Sequence, residues 1–366
     1  MENKKIKLLF VNSTLEKSGL TNVIFNICKN IDRKLFDITI LTLSPEPSNS
    51  LWNDFKNLGI NLFSLNLTRI EWFLKGKNSL VSWVNNFNPD LIQTMSFRAT
   101  YSVNLLLGHY KIISTIEADL HKNYCDTYGK LIGKYFAEKE LASFDKATIK
   151  IVCSKSLKDI YSKKIDNINI VQNGVNDELY YTITIDEKID LRKKLNLETD
   201  KIIFLSVGAL SKRKDPLTII KAFKNYKNAH SYQLLFLGDG VLMKECIDEA
   251  AGLNIKFLGN VDNVHEYCQA ADVFISASHS EGLPNSVLEA GMCGLYCILS
   301  NIPQHTEIFD DKSKQAAFFE TENNNEITLL LNSYGNLKST NTIDFSASKM
   351  TKQYEELYFK AKALIN

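Results

Sequence analysis

Net charge is almost absent from this chain of 366 residues: 43 lysines and arginines face 42 aspartates and glutamates, leaving +1. That balance excludes the basic footprint of a nucleic-acid binder, so no nucleic-acid partner is expected. Long apolar runs are also missing, and none approaches the roughly 20 residues of a membrane span. The run at 8–11 is too short for a signal-peptide core and has no small-residue cleavage site after it. It reads as a first strand, and a cytoplasmic location is expected. The seven cysteines are an odd number in a long chain, and Cys293 and Cys297 lack C-x2-C spacing. They read as buried free thiols in a reducing compartment. There is no Asp-x-Asp and no His/Cys cluster at metal-ligand spacing. The Asp310-Asp311 pair lacks that pattern and reads as a solvated turn. The first glycine loop is not G-x-G-x-x-G, so a nicotinamide dehydrogenase finds no support.

What is present is globular. Hydrophobic residues make up 45% and charged residues 23%, and the length is too great for one typical core, which implies two domains. Short apolar runs alternate with helical faces. Strands are expected at 6–11, 38–43, 91–94, 112–116 and 150–153, with helices over 22–31, 51–58 and 80–87. The pattern restarts after about residue 173. Strands follow at 201–208, 233–238, 255–258, 273–276 and 295–299, with helices over 216–223, 242–251 and 287–292. Repeated β-α units imply two doubly wound parallel sheets, whose ligands bind at the carboxyl ends of the strands. Residues 180–198 are charged and read as a loose connector. Residues 346–363 read as a final helix with Met350, Tyr354, Leu357 and Tyr358 on one side.

The densest chemical signal is SHSEGLPNSVLE at 278–289. Glu281 falls on a glycine-containing turn after a strand, and Glu289 falls on or just after the first helical turn, eight positions on. Backbone N–H groups at such a helix start favour an anion. Two carboxylates flanking that point suit a ligand with a phosphate between hydroxyl-bearing ends, and a nucleotide-sugar is such a ligand. The segment resembles the signature of family-four retaining glycosyltransferases. The resemblance implies an α/β architecture of the GT-B kind: two Rossmann-like domains, a cleft between them, and a C-terminal helix crossing back to the first. The domains would be 1–172 for the acceptor, 173–345 for the nucleotide-sugar, and 346–366 for the returning helix. Residues 153–156 (CSKS) and 173–175 (NGV) look like family markers at the end of the first domain.

The resemblance also assigns roles. Glu281 contacts the donor sugar and Glu289 holds the ribose hydroxyls. Gly282, Leu283, Pro284, Asn285 and Ser286 form the turn and helix start against the diphosphate. Gly19, in the loop after the first strand, corresponds to the family's glycine loop. Gly238 and Gly240, with 259–261, resemble loops near the base and diphosphate, and Val261 is the candidate backbone contact to the base. After Gly208 the family has an Arg, and a Lys five positions later. Lys214 matches the Lys, but Ala209 stands at the Arg position, leaving Lys212 or Arg213 to supply the missing cation. A catalytic set of Glu281, Lys214 and Arg213 is therefore expected. A His is common in the family near Glu117, where a carboxylate would repel the phosphates unless screened or turned away; His121 is the nearby substitute.

The resemblance implies retaining sugar transfer that needs no metal and no cofactor, from a nucleotide-sugar, a UDP-sugar in the leading reading, to a glycan or lipid-linked saccharide in bacterial surface-polysaccharide synthesis. Residues 69–77 (RIEWFLKGK) mix large apolar and basic side chains, as an interfacial membrane contact would. Two alternatives remain at this point: a GT-B sugar-nucleotide epimerase, and a non-catalytic partner of another transferase, the latter because of Ala209 and Glu117.

Overall fold

This computed structural model describes residues 4–227, 231–309, 315–333 and 343–364; Asp310 and Asp311 lie outside them. The chain divides into two compact units. One comprises the residues through Gly174 together with those from Ala347 onward, and the other runs from Val175 to Ser346. Among the described residues each unit contains one parallel sheet.

In the first unit, β1 (Ile6–Asn12) is followed by α1 (Gly19–Asn30), β2 (Phe36–Thr42), α2 (Trp52–Asn57) and β3 (Asn61–Ser64). A short α3 (Arg69–Glu71) runs into a π-helical turn (Trp72–Gly76) and α4 (Lys77–Phe87). Next come β4 (Leu91–Thr94), α5 (Phe97–Leu106) and β5 (Ile112–Ile116). The helical hairpin α6 (Leu120–Tyr128) and α7 (Lys130–Phe144) leads to β6 (Ile149–Val152), α8 (Lys155–Tyr161) and β7 (Ile168–Ile170). The strand order is β3-β2-β1-β4-β5-β6-β7, all parallel, so the winding reverses between β1 and β4.

The second unit opens with α9 (Ile185–Lys194), β8 (Ile202–Val207), α10 (Pro216–Lys224), β9 (Tyr232–Leu237) and α11 (Met243–Glu249). It continues through β10 (Ile255–Phe257), α12 (Val264–Ala270), β11 (Val273–Ser276), α13 (Asn285–Met292) and β12 (Tyr296–Ser300). It ends with α14 (Pro303–Thr306), β13 (Ala316–Phe319) and α15 (Asn324–Ser333). Its order, β10-β9-β8-β11-β12-β13, reverses between β8 and β11. The last helix, α16 (Ala347–Ala363), belongs to the first unit.

Local signals explain these elements. Ser18 caps α1 by accepting the Thr21 N–H, and α1 buries Val23, Ile24, Ile27 and Cys28 along one face. The helix therefore begins three residues before the expected start at 22. Two structures depart further from the sequence reading. Residues 180–198 are not a loose connector. Thr184 and Glu187 form a capping box that starts α9. Arg192 on that helix is buried, donating to Asp272 Oδ2 at 2.6 Å and to the Ala270 carbonyl at 2.9 Å. The α6–α7 hairpin was also not anticipated, because its outer face breaks the helical apolar period that would have announced it.

The α16 helix completes a core. Met350, Tyr354, Tyr358 and Ala361 pack with Phe10, Ile27, Phe36 and Ile113 in one cluster. The two tyrosine hydroxyls reach a buried polar chain: Tyr358 donates to Gln93 at 3.3 Å, Gln93 donates to Thr115 at 3.0 Å, and Thr115 lies 3.3 Å from the Tyr354 hydroxyl. All seven cysteines are free, and six are buried.

Replacing Tyr354 by Ala leaves a ring-sized cavity and removes the hydroxyl beside Thr115, so roughly 3–5 kcal/mol of first-unit stability should be lost. Tyr354→Phe should cost only about 1 kcal/mol. Denaturant unfolding followed in the first unit, with equal losses in the two variants, would contradict this packing.

Candidate active site

The site grows from the strand reversal in the second unit. The strands that part there, β8 and β11, are followed by the loops 208–215 and 277–284. Such a reversal leaves a crevice at the carboxyl ends of the strands. Gly208 opens the first loop at φ +146°, and a Cβ there would come within 3.2 Å of the Lys214 side chain. Gly238, at the end of β9, has φ +124°, and its Cβ would meet the Gly208 carbonyl at 2.2 Å. The loops thus close backbone to backbone, which only glycine permits. The two reversal loops are also tied directly: the His279 N–H donates to the Arg213 carbonyl at 2.8 Å.

Three charges converge there. Lys214 Nζ lies 2.6 Å from Glu281 Oε1, and Arg213 Nη1 lies 2.8 Å from Glu281 Oε2. Arg213 Nη1 also donates to the Ser280 carbonyl at 2.7 Å. The Glu281 side chain is only 8% exposed. Burial alone would raise its pKa; the charges of Lys214 and then Arg213 outweigh that and hold the carboxyl down at about 2. Lys214 approaches in ion-pair geometry, leaving Oε1 without an aligned hydrogen bond. Of the two cations expected to replace the missing arginine, Arg213 is the one at the cluster. Lys212 is exposed and forms no ion pair among the described residues. Ala209 is exposed.

Directly after this cluster, Gly282, Leu283 and Pro284 are buried and α13 begins at Asn285. Pro284 at the N-cap offers no side-chain acceptor. The helix start, with half-buried Asn285 and Ser286, therefore retains its positive dipole end. Glu289 lies four residues farther along α13. Burial pushes its carboxyl up to about 7, against a hydrogen bond from Tyr180 and the charge of Lys214. The two glutamates thus differ in kind: one is a firmly ionised partner of two cations, and the other titrates near neutrality.

The remaining sequence candidates are distributed differently. Val261 is half-buried in the loop after β10. In the first unit, Gly19 is the first residue of α1 and takes no positive φ. Glu117, just past β5, hydrogen-bonds Asn173 and Cys153, and burial pushes it up to about 7. Near neutrality its negative charge is thereby partly removed. His121 Nε2 is committed to a hydrogen bond with Glu138 at 2.9 Å, a carboxylate that Lys164 also binds at 2.7 Å. Its ring braces α6 against α7.

Several site residues escaped the sequence reading. Tyr180, 109 positions from Glu289, carries no local signal of its contact with that carboxylate. Asp215 caps α10 from a left-handed conformation, φ +46°, and takes His279 Nε2 at 3.1 Å. The Asp-Pro pair at 215–216 was the available clue, since proline favours the first helical position after a capping aspartate. His305 is buried, with Nδ1 2.9 Å from the Ser300 carbonyl and Nε2 without a partner. Burial lowers its pKa to about 4, so it is neutral near pH 7.

Two doubly wound units, the second with this charged reversal loop and the first completed by a returning C-terminal helix, define a protein of GT-B architecture. A family model described as "Glycosyltransferase Family 4" matches residues 17–179, and one described as "Glycosyl transferases group 1" matches residues 187–343. The chain belongs to the family-four type of glycosyltransferases. It is 25% identical to the O-antigen biosynthesis glycosyltransferase WclY of Escherichia coli, covering 96% of this chain and 98% of the relative. It is also 25% identical to the UDP-Gal:alpha-D-GlcNAc-diphosphoundecaprenol alpha-1,3-galactosyltransferase of Escherichia coli, over 82% and 80%. The capsular polysaccharide biosynthesis glycosyltransferase CapH of Staphylococcus aureus is 22% identical over 96% and 98%. Among solved structures, Anabaena HepE in complex with UDP and glucose superposes with a TM-score of 0.79 at 14% identity, covering 97% of this chain and all (100%) of HepE. At that identity the likeness establishes the fold. Of these, WclY acts in O-antigen biosynthesis and CapH in capsular polysaccharide biosynthesis.

The raised pKa of Glu289 has a stability consequence. The folded state holds this proton more tightly than the unfolded chain, whose carboxyl titrates near 4.5. Stability is therefore lost as pH rises from about 4.5 to about 7, by on the order of 3 kcal/mol. Glu289→Gln removes that loss. Its melting temperature should rise above wild type by several degrees at pH 8 and converge with it near pH 5. A pH-independent gap would mean that Glu289 does not titrate as described.

Proposed function

We propose that the chain transfers a sugar from a UDP-sugar, with retention at the anomeric carbon, to a lipid-linked saccharide acceptor. The observation that carries this is the Lys214–Glu281–Arg213 cluster at the strand reversal, immediately before the start of α13. Fixed cations and a helix start at one point suit a diphosphate that gains charge as it departs. The UDP and lipid-diphosphate chemistry is that of HepE and of the galactosyltransferase relative, and extends to this chain as part of the proposal.

In the proposed reaction the bond from C1 to the β-phosphate oxygen breaks, and the bond from C1 to the acceptor hydroxyl oxygen forms on the same face. The departing phosphate oxygen takes the hydroxyl proton. Lys214 and Arg213 compensate the charge arriving on the diphosphate, so the reading needs neither a divalent ion nor a cofactor. Glu281, ionised at any physiological pH, holds sugar hydroxyls and fixes the two cations rather than acting as a general base. Glu289 accepts from the ribose hydroxyls. Its ionised form is the better acceptor, so donor binding strengthens as the carboxyl loses its proton.

Two measurements test the reading. Glu281→Ala and Lys214→Ala should each lower kcat by about 100-fold or more, with activity in wild type surviving EDTA and the product retaining the donor's anomeric configuration by NMR. Near-normal turnover in either variant would sink the assignment, and donor binding without turnover in wild type would favour a non-catalytic partner. Affinity for UDP-sugar, whose diphosphate does not titrate near neutrality, should tighten through about pH 7 in wild type and stay flat in Glu289→Gln.

A further inference from the structure

We infer that His279, acting through Asp215, is a positioning residue for the two cations that meet Glu281. The inference rests on the proposed role of Lys214 and Arg213 against a departing diphosphate, and names what holds them in place.

Three consecutive residues of the loop after β8 face three consecutive residues of the loop after β11. The Arg213 carbonyl accepts the His279 N–H at 2.8 Å, and Arg213 Nη1 donates to the Ser280 carbonyl at 2.7 Å. Arg213 and Lys214 reach Glu281 at 2.8 and 2.6 Å. Asp215 Oδ2 accepts from His279 Nε2 at 3.1 Å. A carboxylate only accepts, so the ring carries a proton on Nε2. Among these side-chain contacts, Asp215–His279 is the one in which neither partner takes part in the proposed transfer.

Asp215 is held from two sides. Its Oδ1 accepts the Thr218 N–H at 3.3 Å and its Oδ2 accepts the Thr218 hydroxyl at 2.7 Å, which caps α10. Its backbone lies in the left-handed region, at φ +46°. A residue with a side chain seldom occupies that region, and keeps it only where surrounding contacts over-determine it. Thr218 fixes the carboxylate to the start of α10, and His279 fixes the same carboxylate to the loop that bears Glu281. Arg213 and Lys214, the two residues before Asp215, therefore leave the backbone from an origin set relative to Glu281.

The pair also disposes of a charge. Asp215 is an anion one residue from Lys214. Turned toward the diphosphate, it would repel the phosphates and compete for the cations. It is instead engaged by Thr218 and His279, with its side chain 16% exposed. On the other side of the ring, Glu322 Oε1 lies 3.8 Å from His279 Nδ1, beyond hydrogen-bond distance, and that side chain is 74% exposed. Glu322 therefore holds the ring weakly, and Asp215 sets its place.

The consequence falls on the chemical step. Charge on a departing diphosphate grows toward the transition state, so displaced cations lose more there than in the ground state. His279→Ala should lower kcat about tenfold, with KM for UDP-sugar changed less than about twofold and the melting temperature by no more than about 2 °C. His279→Gln, whose amide nitrogen can stand where Nε2 does, should recover most of kcat. In Asp215→Asn the new residue is an equally good helix cap and tolerates the left-handed backbone, but has one acceptor oxygen for the three donors that Asp215 serves. It should lower kcat several-fold, and the double variant His279→Ala/Asp215→Asn should lose no more than the larger single loss.

A second readout needs neither donor nor turnover: acetylation of Lys214 by the N-hydroxysulfosuccinimide ester of acetic acid, followed by peptide mass spectrometry. Lys214, 18% exposed and paired with Glu281, should react slowly in wild type and in His279→Gln, and several-fold faster in His279→Ala. Exposed Lys212 serves as the internal reference. Unchanged kcat in His279→Ala, additive losses in the double variant, or a fall in melting temperature large enough to account for the lost activity would overturn the inference. So would Lys214 labelling that ignores His279. If wild type transfers no sugar, the proposed chemistry fails, while the labelling still upholds or overturns the positioning role.

Discussion

A carboxylate with 8% exposure must be paired, and Glu281 is paired twice. The rest of the site follows from that requirement. Lys214 and Arg213 can reach Glu281 only because the loops after β8 and β11 diverge from adjacent strands at the reversal point. Gly208 and Gly238 let those loops close without side chains in the way. The result is a pre-set cation pair whose position is fixed by an internal anion, so the proposed diphosphate would meet it with little reorganisation.

The second glutamate illustrates the opposite use of burial. Glu289 lacks a close cation of its own, so burial prevails and raises it. A buried group titrating near neutrality is costly to an empty protein and useful to one that binds hydroxyls, a trade of stability for function that is common at sites. Tyr180 offsets part of the cost. It comes from the segment leading to α9, which Gln269 binds at the Leu179 carbonyl, and α9 itself is held by Arg192 and Lys188 on Asp272 just before β11. The anchoring of an apparently loose stretch thus bears on the carboxylate that would meet the ribose.

Much of the fold was legible because strands buried on both faces read as continuous apolar runs. The segments at β1, β4, β5, β8 and β11 fell within two residues of their places for that reason. The amphipathic turn-and-helix signal at 278–289 likewise marked Glu281 and Glu289. Elements at the margins were missed. The strand β3 is largely exposed and β7 is three residues long, so neither shows an apolar run. The helices α6 and α7 carry exposed leucine, isoleucine and tyrosine that blur their buried face. The charged α9 has no apolar stripe because its buried residue is an arginine.

The sequence by itself determined the number and kind of the sheets, the loop that bears the two glutamates, and the presence of three consecutive cations near a strand end. These depend on residue type and short spacing, which a linear reading contains. Tertiary structure decided which cation faces Glu281, that His121 is spent on Glu138, that Glu117 is bonded to Asn173 and Cys153, and that Tyr180 meets Glu289. Each of those is a contact between distant segments, and its charge state follows from burial and neighbours that only the folded chain brings together.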